Sequence, residues 1–182
     1  ELRKAGITMP IMVMNPEMNS FRTLFRYSLE PEVYSFKLLD ALIYEAERQG
    51  IMRYPIHVKI DSGMHRLGFT LEDMPRLSER LKSQTTVMAR SVFSHFAGSD
   101  EPRFDAFSCQ QIALFKECAV AVQSATPQPV MRHILNTSGI TRFTEEQMEA
   151  VRLGIGLYGI SACGMDTDLR TVSTLKTTIL QI

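Results

Sequence analysis

The sequence predicts an α/β fold, a (β/α)8 TIM-type barrel that is incomplete at its N-terminus. Strand-like runs alternate with helical patterns in about six β-then-α units, at a spacing of roughly 25–35 residues, which is typical of a parallel sheet covered by helices. A closed barrel of this kind needs eight strands, and the deficit fits a missing N-terminal portion. A doubly wound open sheet is the alternative, although no G-x-G-x-x-G motif follows the first strand to support a dinucleotide-binding version.

Hydrophobic periodicity and turn residues place the individual elements along the chain. Ser35 is a suitable N-cap for a helix that buries one apolar face and ends before Gly50. The predicted strands cover residues 10–14, 32–34, 56–61, 86–93, 129–135 and 151–158, and the predicted helices cover residues 18–27, 36–49, 71–82, 107–123 and 144–149.

The two ends of the chain predict a longer protein. Glu1 stands where an initiator methionine would be, and residues 1–6 are typical of the end of a helix that is closed by Gly6. Residues 171–182 alternate threonine with apolar residues, which predicts a strand. We therefore expect residues 1–170 to form a partial barrel that binds a cofactor, and residues 171–182 to lead towards a C-terminal β domain.

The composition argues against several classes of protein. The chain has 182 residues, of which 45% are hydrophobic and 22% charged, as in an ordinary globular domain. Equal numbers of basic and acidic residues, twenty of each, argue against a nucleic-acid or membrane-surface partner. No apolar run is long enough to span a membrane, and no signal peptide is recognisable. The three cysteines lack metal-site spacing and predict reduced thiols, so we expect a cytoplasmic protein without a metal centre.

The strand predicted over residues 56–61 carries ionisable groups on one face. His57, Lys59 and Asp61 alternate with apolar residues, and a glycine-containing loop then leads to Arg66. The carboxyl end of a strand is where α/β barrels hold their chemistry. An exposed ion pair between Lys59 and Asp61 is the alternative interpretation, while Arg66 has the fork geometry that binds a carboxylate.

Three further polar clusters follow later strands. His95 suits ring stacking or proton transfer, although a histidine bonded to a loop carbonyl is the alternative. Residues 136–139 offer backbone N–H groups and hydroxyls to an anion, or form an ordinary N-cap. Residues 152–159 contain three glycines that allow close approach to the backbone, or form a barrel bulge with a structural arginine.

Taken together, these clusters resemble the pattern of the bacterial alanine racemases, which use pyridoxal 5'-phosphate. The resemblance runs from A-G-I-x-x-P-I near the start of the chain to S-x-L-K-T near its end. It implies interconversion of L-alanine and D-alanine by two-base proton transfer, which supplies D-alanine for peptidoglycan. The segments that carry it are K-I-D-S-G-M-H-R-L-G at 59–68, S-H-F-A at 94–97, H-I-L-N-T-S at 133–138 and V-R-L-G-I-G-L-Y-G at 151–159.

The resemblance implies a binding site for the cofactor phosphate. In that family the phosphate lies between an N-S/T pair and a G-I pair, which match Asn136, Thr137, Gly154 and Ile155. Backbone N–H groups and a hydroxyl bind a dianion without a lysine, so the assignment is chemically consistent.

The resemblance also implies roles around the cofactor ring. Arg152 matches the arginine that faces the pyridine nitrogen and keeps it unprotonated, and His133 matches the histidine that holds this arginine. His95 matches the histidine beside the ring. Arg66 matches the arginine that contacts the phenolic oxygen, and Lys59 matches a lysine that is often carbamylated in that family. Carbamylation needs a neutral amine, so a buried Lys59 is expected.

Two catalytic groups of the family have no match in this sequence. They are the lysine that bonds covalently to the cofactor, in a V-x-K-A-D/N-A-Y-G-H-G-like motif, and the opposing tyrosine of the C-terminal domain. We therefore expect a parent alanine racemase, a homodimer with shared active sites that is in some cases fused to a cell-wall ligase, and an inactive fragment. The alternatives are a serine or broad-specificity racemase and a non-catalytic barrel that binds pyridoxal phosphate.

Overall fold

The computed structural model describes residues 1–164, 168–178 and 181. Within them the chain forms one five-stranded parallel sheet in which each strand pairs with the next along the sequence. A doubly wound sheet reverses its strand order, whereas this sheet advances in one direction, as the wall of a barrel does. The structure therefore confirms the α/β prediction and has the form of a partial TIM-type barrel. The strands are β1 (Met12–Val13), β2 (Glu30–Val33), β3 (Tyr54–Lys59), β4 (Val87–Phe93) and β5 (Met131–His133).

Helices connect the strands and cover one face of the sheet. Their apolar residues recur at helical spacing and form a single core with the outward-facing residues of the strands, such as Ile56 and Val58, which are fully buried. The Ser35 hydroxyl accepts a hydrogen bond from the Leu38 N–H at 3.3 Å, which confirms the predicted N-cap. The helices are α1 (Phe21–Arg26), α2 (Phe36–Arg48), α3 (Met74–Lys82), α4 (Asp105–Ser124) and α5 (Thr137–Arg142).

The opposite face of the sheet carries an unusual number of polar groups. The register places Glu32 opposite His57, and His57 opposite Ser91, so that these side chains share one face. Between β3 and β4 the register shifts, because Ala89 pairs with Ile56 while Ser91 pairs with His57, which leaves Arg90 as a bulge. Polar groups that share a buried face must bond to one another, and they form the base of the candidate site.

Three of the predicted elements differ in the structure. The strand predicted over residues 151–158 was wrong: residues 151–154 have no regular secondary structure, and Ile155–Tyr158 is a 3-10 helix. Glycines disfavour an extended strand, and the chain turns back towards α5 instead. The helix predicted over 144–149 is a single 3-10 turn, Thr144–Glu146. Helix α5 was not predicted as a helix, because the sequence indicated only a possible N-cap at its start.

The C-terminal strand predicted over residues 171–182 is absent from residues 171–178, which have no regular secondary structure. A strand requires a neighbouring strand with which it forms a series of hydrogen bonds. In the described part of the chain, this segment contributes a backbone hydrogen bond from the Val172 N–H to the Tyr158 carbonyl, at 3.3 Å, and pairs with no strand. Positions 179, 180 and 182 lie outside the described residues. No helix in the described ranges is sufficiently long and apolar to cross a bilayer.

Candidate active site

The carboxyl ends of β3, β4 and β5 bring the predicted site residues to one edge of the sheet. His95 follows β4 and experiences three cations from other segments. Burial first, and then the charges of Arg152, Arg66 and Lys59, lower the pKa of His95 to about 4. His95 is therefore neutral near pH 7. Four residues that the sequence placed in three separate clusters share one electropositive environment.

Lys59 is buried at the end of β3, as predicted. Its Nζ lies 3.0 Å from Oε1 of Glu32, which is 1% exposed, and not beside Asp61. The two groups form an ion pair, but the angle between them does not meet that of a hydrogen bond. Nζ also lies 5.7 Å from the centre of the Phe93 ring. Carbamylation of Lys59 stays a prediction.

Arg66 is exposed, and the loop that carries it is organised by Asp61. The Asp61 carboxylate accepts hydrogen bonds from the backbone N–H groups of Gly63 and His65, both at 3.0 Å. Partial burial raises the pKa of Asp61, but these bonds outweigh it and leave the pKa below its usual value. Gly68 closes the loop with a φ of 137°, which only glycine adopts readily. The backbone of the loop that carries Arg66 is therefore held in place.

Arg152 extends across the ends of β4 and β5. Its Nη1 donates to Nδ1 of His133 at 3.1 Å, and its Nη2 donates to the carbonyls of Ser94 and, at 3.2 Å, Ile134. The guanidinium lies 5.0 Å from the centre of the Phe93 ring, which itself stacks on the His133 imidazole. Burial lowers the pKa of Arg152 to about 10, so the side chain remains charged at neutral pH. The predicted contact between His133 and Arg152 is present.

Thr137 and the segment after Arg152 form a cluster of hydrogen-bond donors. Thr137 Oγ1 accepts the backbone N–H groups of Gly154 at 3.1 Å and Gly156 at 3.2 Å, and Ile155 lies between them. A Cβ at position 156 would lie 2.8 Å from a methyl of Leu153 and 2.9 Å from the Thr137 methyl, so this position requires glycine. Both N–H groups therefore point at the Thr137 oxygen, and the three groups lie together in this structure.

Asn136 shapes the loop beneath this cluster. Its Oδ1 accepts the Gly139 N–H at 2.9 Å and the Ser99 hydroxyl at 2.7 Å, while its Nδ2 donates to the Phe96 carbonyl at 3.2 Å. These bonds make Asn136 the N-cap of α5 and join it to the loop after β4. Direct contact of the Asn136 side chain with a ligand stays a prediction.

Gln111 holds the His95 loop in place. It is fully buried on α4, donates to the His95 carbonyl at 3.2 Å and accepts the Ala97 N–H at 3.0 Å. Sequence reasoning missed Gln111 and Glu32. A glutamine on the apolar face of a helix, and a carboxylate in a short buried strand, are signals that could have identified them, because buried polar groups need partners.

Comparisons with known proteins identify the family. The family model described as alanine racemase, N-terminal domain, matches residues 1–162. Over the whole chain, the alanine racemase of Desulfovibrio desulfuricans is 31% identical and that of Sorangium cellulosum 30% identical, and the chain covers 49% of each. The chain thus spans about half the length of the curated relatives it matches.

Solved structures agree with this result. An alanine racemase from Clostridium difficile superposes with a TM-score of 0.79 at 27% identity, over 92% of this chain and 43% of its own. The structure from Corynebacterium glutamicum, at 23% identity and a TM-score of 0.82 over 93% of this chain and 47% of its own, shows the same fold. From the family match and these relatives, the chain belongs to the alanine racemase family, and residues 1–162 correspond to its N-terminal domain.

Proposed function

We propose that this chain forms the cofactor-binding side of an alanine racemase that interconverts L-alanine and D-alanine. The observation that carries the proposal is the convergence of Arg152, His95 and the Thr137 cluster at one edge of the sheet. Because the curated relatives are about twice as long as the chain, the activity is proposed for the complete product of the gene that encodes it.

The Thr137 cluster fits the phosphate of pyridoxal 5'-phosphate. A phosphate dianion needs several converging donors, and the Thr137 hydroxyl lies beside the N–H groups of Gly154 and Gly156, which donate to its oxygen in this structure and would turn to a bound phosphate. A Cβ at position 154 would have Thr137 Oγ1 as its nearest contact, at 3.9 Å, so the backbone at Gly154 is open to close approach. We propose that Thr137, Gly154, Ile155 and Gly156 hold the phosphate, with Asn136 as the support of their loop.

Arg152 fits the pyridine nitrogen. A guanidinium donates hydrogen bonds and keeps its protons at neutral pH, so a ring nitrogen that it faces stays an acceptor. Bound pyridoxal phosphate would supply an electron-withdrawing system that makes the α-proton of an attached amino acid removable. We propose that Arg152 limits this withdrawal, while the neutral His95 lies beside the ring.

Lys59 and Arg66 complete the positive side of the site. We propose that the exposed Arg66 contacts the phenolic oxygen of the cofactor and that Lys59, once carbamylated, positions Arg66 through its new carboxylate. Racemisation requires a base on each face of the α-carbon, and the sequence matches neither the lysine nor the tyrosine motif of the family. We therefore propose that the 182-residue chain alone does not racemise alanine.

The wider setting is also a proposal. A homodimer with shared sites, a cytoplasmic location and a role in supplying D-alanine for peptidoglycan all rest on the resemblance to the family. Fusion to a cell-wall ligase is a further arrangement that the gene sequence would reveal.

The experiment follows the α-hydrogen. The complete gene product is incubated with pyridoxal phosphate and L-alanine in deuterated water, with L-serine and L-lysine in parallel reactions. We expect deuterium incorporation and the D-isomer from alanine, and loss of both in Arg152→Leu but not in Arg132→Leu, a change at an exposed arginine of β5.

The other outcomes discriminate between the alternatives. Equal turnover of serine would indicate a broad-specificity racemase. Bound cofactor without exchange on any amino acid would contradict the racemase proposal and favour a non-catalytic binding barrel.

A further inference from the structure

A chain of buried hydrogen bonds leads away from Arg152 into the sheet. His133 receives the Arg152 guanidinium at Nδ1, and its Nε2 lies 3.0 Å from the Ser91 hydroxyl. The same hydroxyl lies 2.6 Å from Nδ1 of His57, and Nε2 of His57 lies 3.0 Å from Oε2 of Glu30. The four residues that follow Arg152 in this series are each less than 8% exposed. We refer to the set Glu30, His57, Ser91 and His133 as the buried relay.

The two ends of the buried relay determine the direction of every bond in it. Arginine has only donors, so His133 Nδ1 must accept from Arg152, and a neutral His133 then carries its proton on Nε2. At the other end an ionised Glu30 has only acceptors, so His57 carries its proton on Nε2. Ser91 accepts from His133 and donates to His57. One proton arrangement satisfies all the groups.

Charge and packing support this arrangement. Burial, followed by the charges of Arg152 and His57, lowers the pKa of His133 to about 3, and burial lowers the pKa of His57 although Glu30 opposes it. Both imidazoles are therefore neutral near pH 7. Oε1 of Glu30 accepts from Arg90 at 2.5 Å, so both oxygens of this carboxylate are engaged, one by Arg90 and one by His57. The bulge at Arg90 allows this residue and Ser91 to serve the same network.

We propose that Glu30, His57 and Ser91 are positioning residues that hold His133 in its Nε2–H tautomer, so that Nδ1 stays free to accept from and orient the Arg152 guanidinium. The relay thereby fixes which atom carries the proton in each hydrogen bond between Glu30 and Arg152. The proposal rests on the proposed function only in that Arg152 is taken to face the cofactor.

Glu30→Gln is the sharpest test. Arg90 would still require the amide oxygen, so the amide N–H group would face His57 Nε2 and force this nitrogen to accept. Ser91 would then accept from His57 and donate to His133 Nε2, which favours a His133 proton on Nδ1, in competition with the donors of Arg152. Nitrogen-15 NMR of labelled imidazoles reports the tautomer of each histidine directly.

We expect the wild-type complete gene product, without cofactor, to show His133 and His57 as Nε2–H tautomers, and Glu30→Gln to show a change in His133. Ser91→Ala should also perturb His133, whereas Ser91→Thr keeps a hydroxyl and should preserve the wild-type pattern. Ser108→Ala removes another fully buried serine hydroxyl outside the relay and serves as the control.

An Nδ1–H or charged His133 in the folded wild type at neutral pH would overturn the proposal. So would an unchanged His133 tautomer in both folded Glu30→Gln and Ser91→Ala variants. Racemase kcat/KM is the second readout and should fall in these variants and not in Ser91→Thr. If no variant, including wild type, turns over alanine, the proposed function fails while the tautomer measurement still decides the relay.

Discussion

At the scale of single residues, the buried ion pair between Lys59 and Glu32 shows how strongly the site depends on charge balance. Glu32 is 1% exposed, so Lys59→Met would leave a buried carboxylate without its cation. We expect the free energy of unfolding to fall by about 3–5 kcal/mol, measured by urea denaturation near pH 7. The double variant Lys59→Met, Glu32→Gln should recover much of this loss, because it removes both charges.

An exposed ion pair provides the matched control for this prediction. Arg80 and Asp40 lie 2.7 Å apart at the surface, and Arg80→Met should change the free energy of unfolding by less than about 1 kcal/mol. If Lys59→Met and Arg80→Met lowered the free energy of unfolding equally, the assignment of Lys59 to a buried ion pair would be contradicted.

At the scale of elements, the loop after β3 depends on one glycine. Gly68 has a φ of 137°, and a Cβ there would lie 2.6 Å from the carbonyl carbon of Ile60 and closer still to the Asp61 nitrogen. We expect Gly68→Ala to displace the loop that carries Arg66 and to destabilise the protein by well over the cost of positive φ alone, about 1–2 kcal/mol. Urea denaturation measures the change.

Gly50→Ala separates strain from collision in that experiment. Gly50 has a φ of 66° but open space around its missing Cβ, so alanine there should cost only about 1–2 kcal/mol. If both variants lost the same free energy, the close packing at Gly68 would be refuted.

At the scale of the whole molecule, the buried histidines His57 and His133 and the half-buried His95 link stability to pH. Burial lowers the pKa of His57, of His95 to about 4 and of His133 to about 3, so the unfolded chain binds more protons than the folded protein below pH 6.5. Stability is therefore full above pH 6.5 and falls as the pH decreases towards 4. Each group contributes up to about 1.4 kcal/mol per pH unit in this window.

Urea denaturation between about pH 7 and pH 5 measures this slope, because the carboxylates with lowered pKa lose their contribution mainly below that range. His95→Gln should reduce this slope. A stability that is constant over this range would contradict the neutral buried histidines.

Elements whose apolar spacing and caps lie within a few residues could be predicted from the sequence. Contacts set by the pairing of segments distant in the chain could not. The helix capped by Ser35 was predictable because its apolar spacing and cap lie within a few residues. The strand predicted over 151–158 failed because its fate depends on Thr137, a partner distant in the chain. The contact of Lys59 with Glu32 was hidden for the same reason, since strand register sets it. By contrast, the clusters at the strand ends were identifiable as motifs.

We propose that the carboxyl edge of β3–β5 is one binding site for pyridoxal phosphate, and equilibrium dialysis of the cofactor-free complete gene product tests this most directly. We expect Arg152→Leu and Thr137→Val each to weaken binding by about tenfold or more, since a hydrogen bond to a charged group contributes roughly 1.5–3 kcal/mol. Arg132→Leu, at an exposed arginine paired with Glu149, should bind as the wild type does. Unchanged affinity in folded Arg152→Leu and Thr137→Val variants would contradict the account.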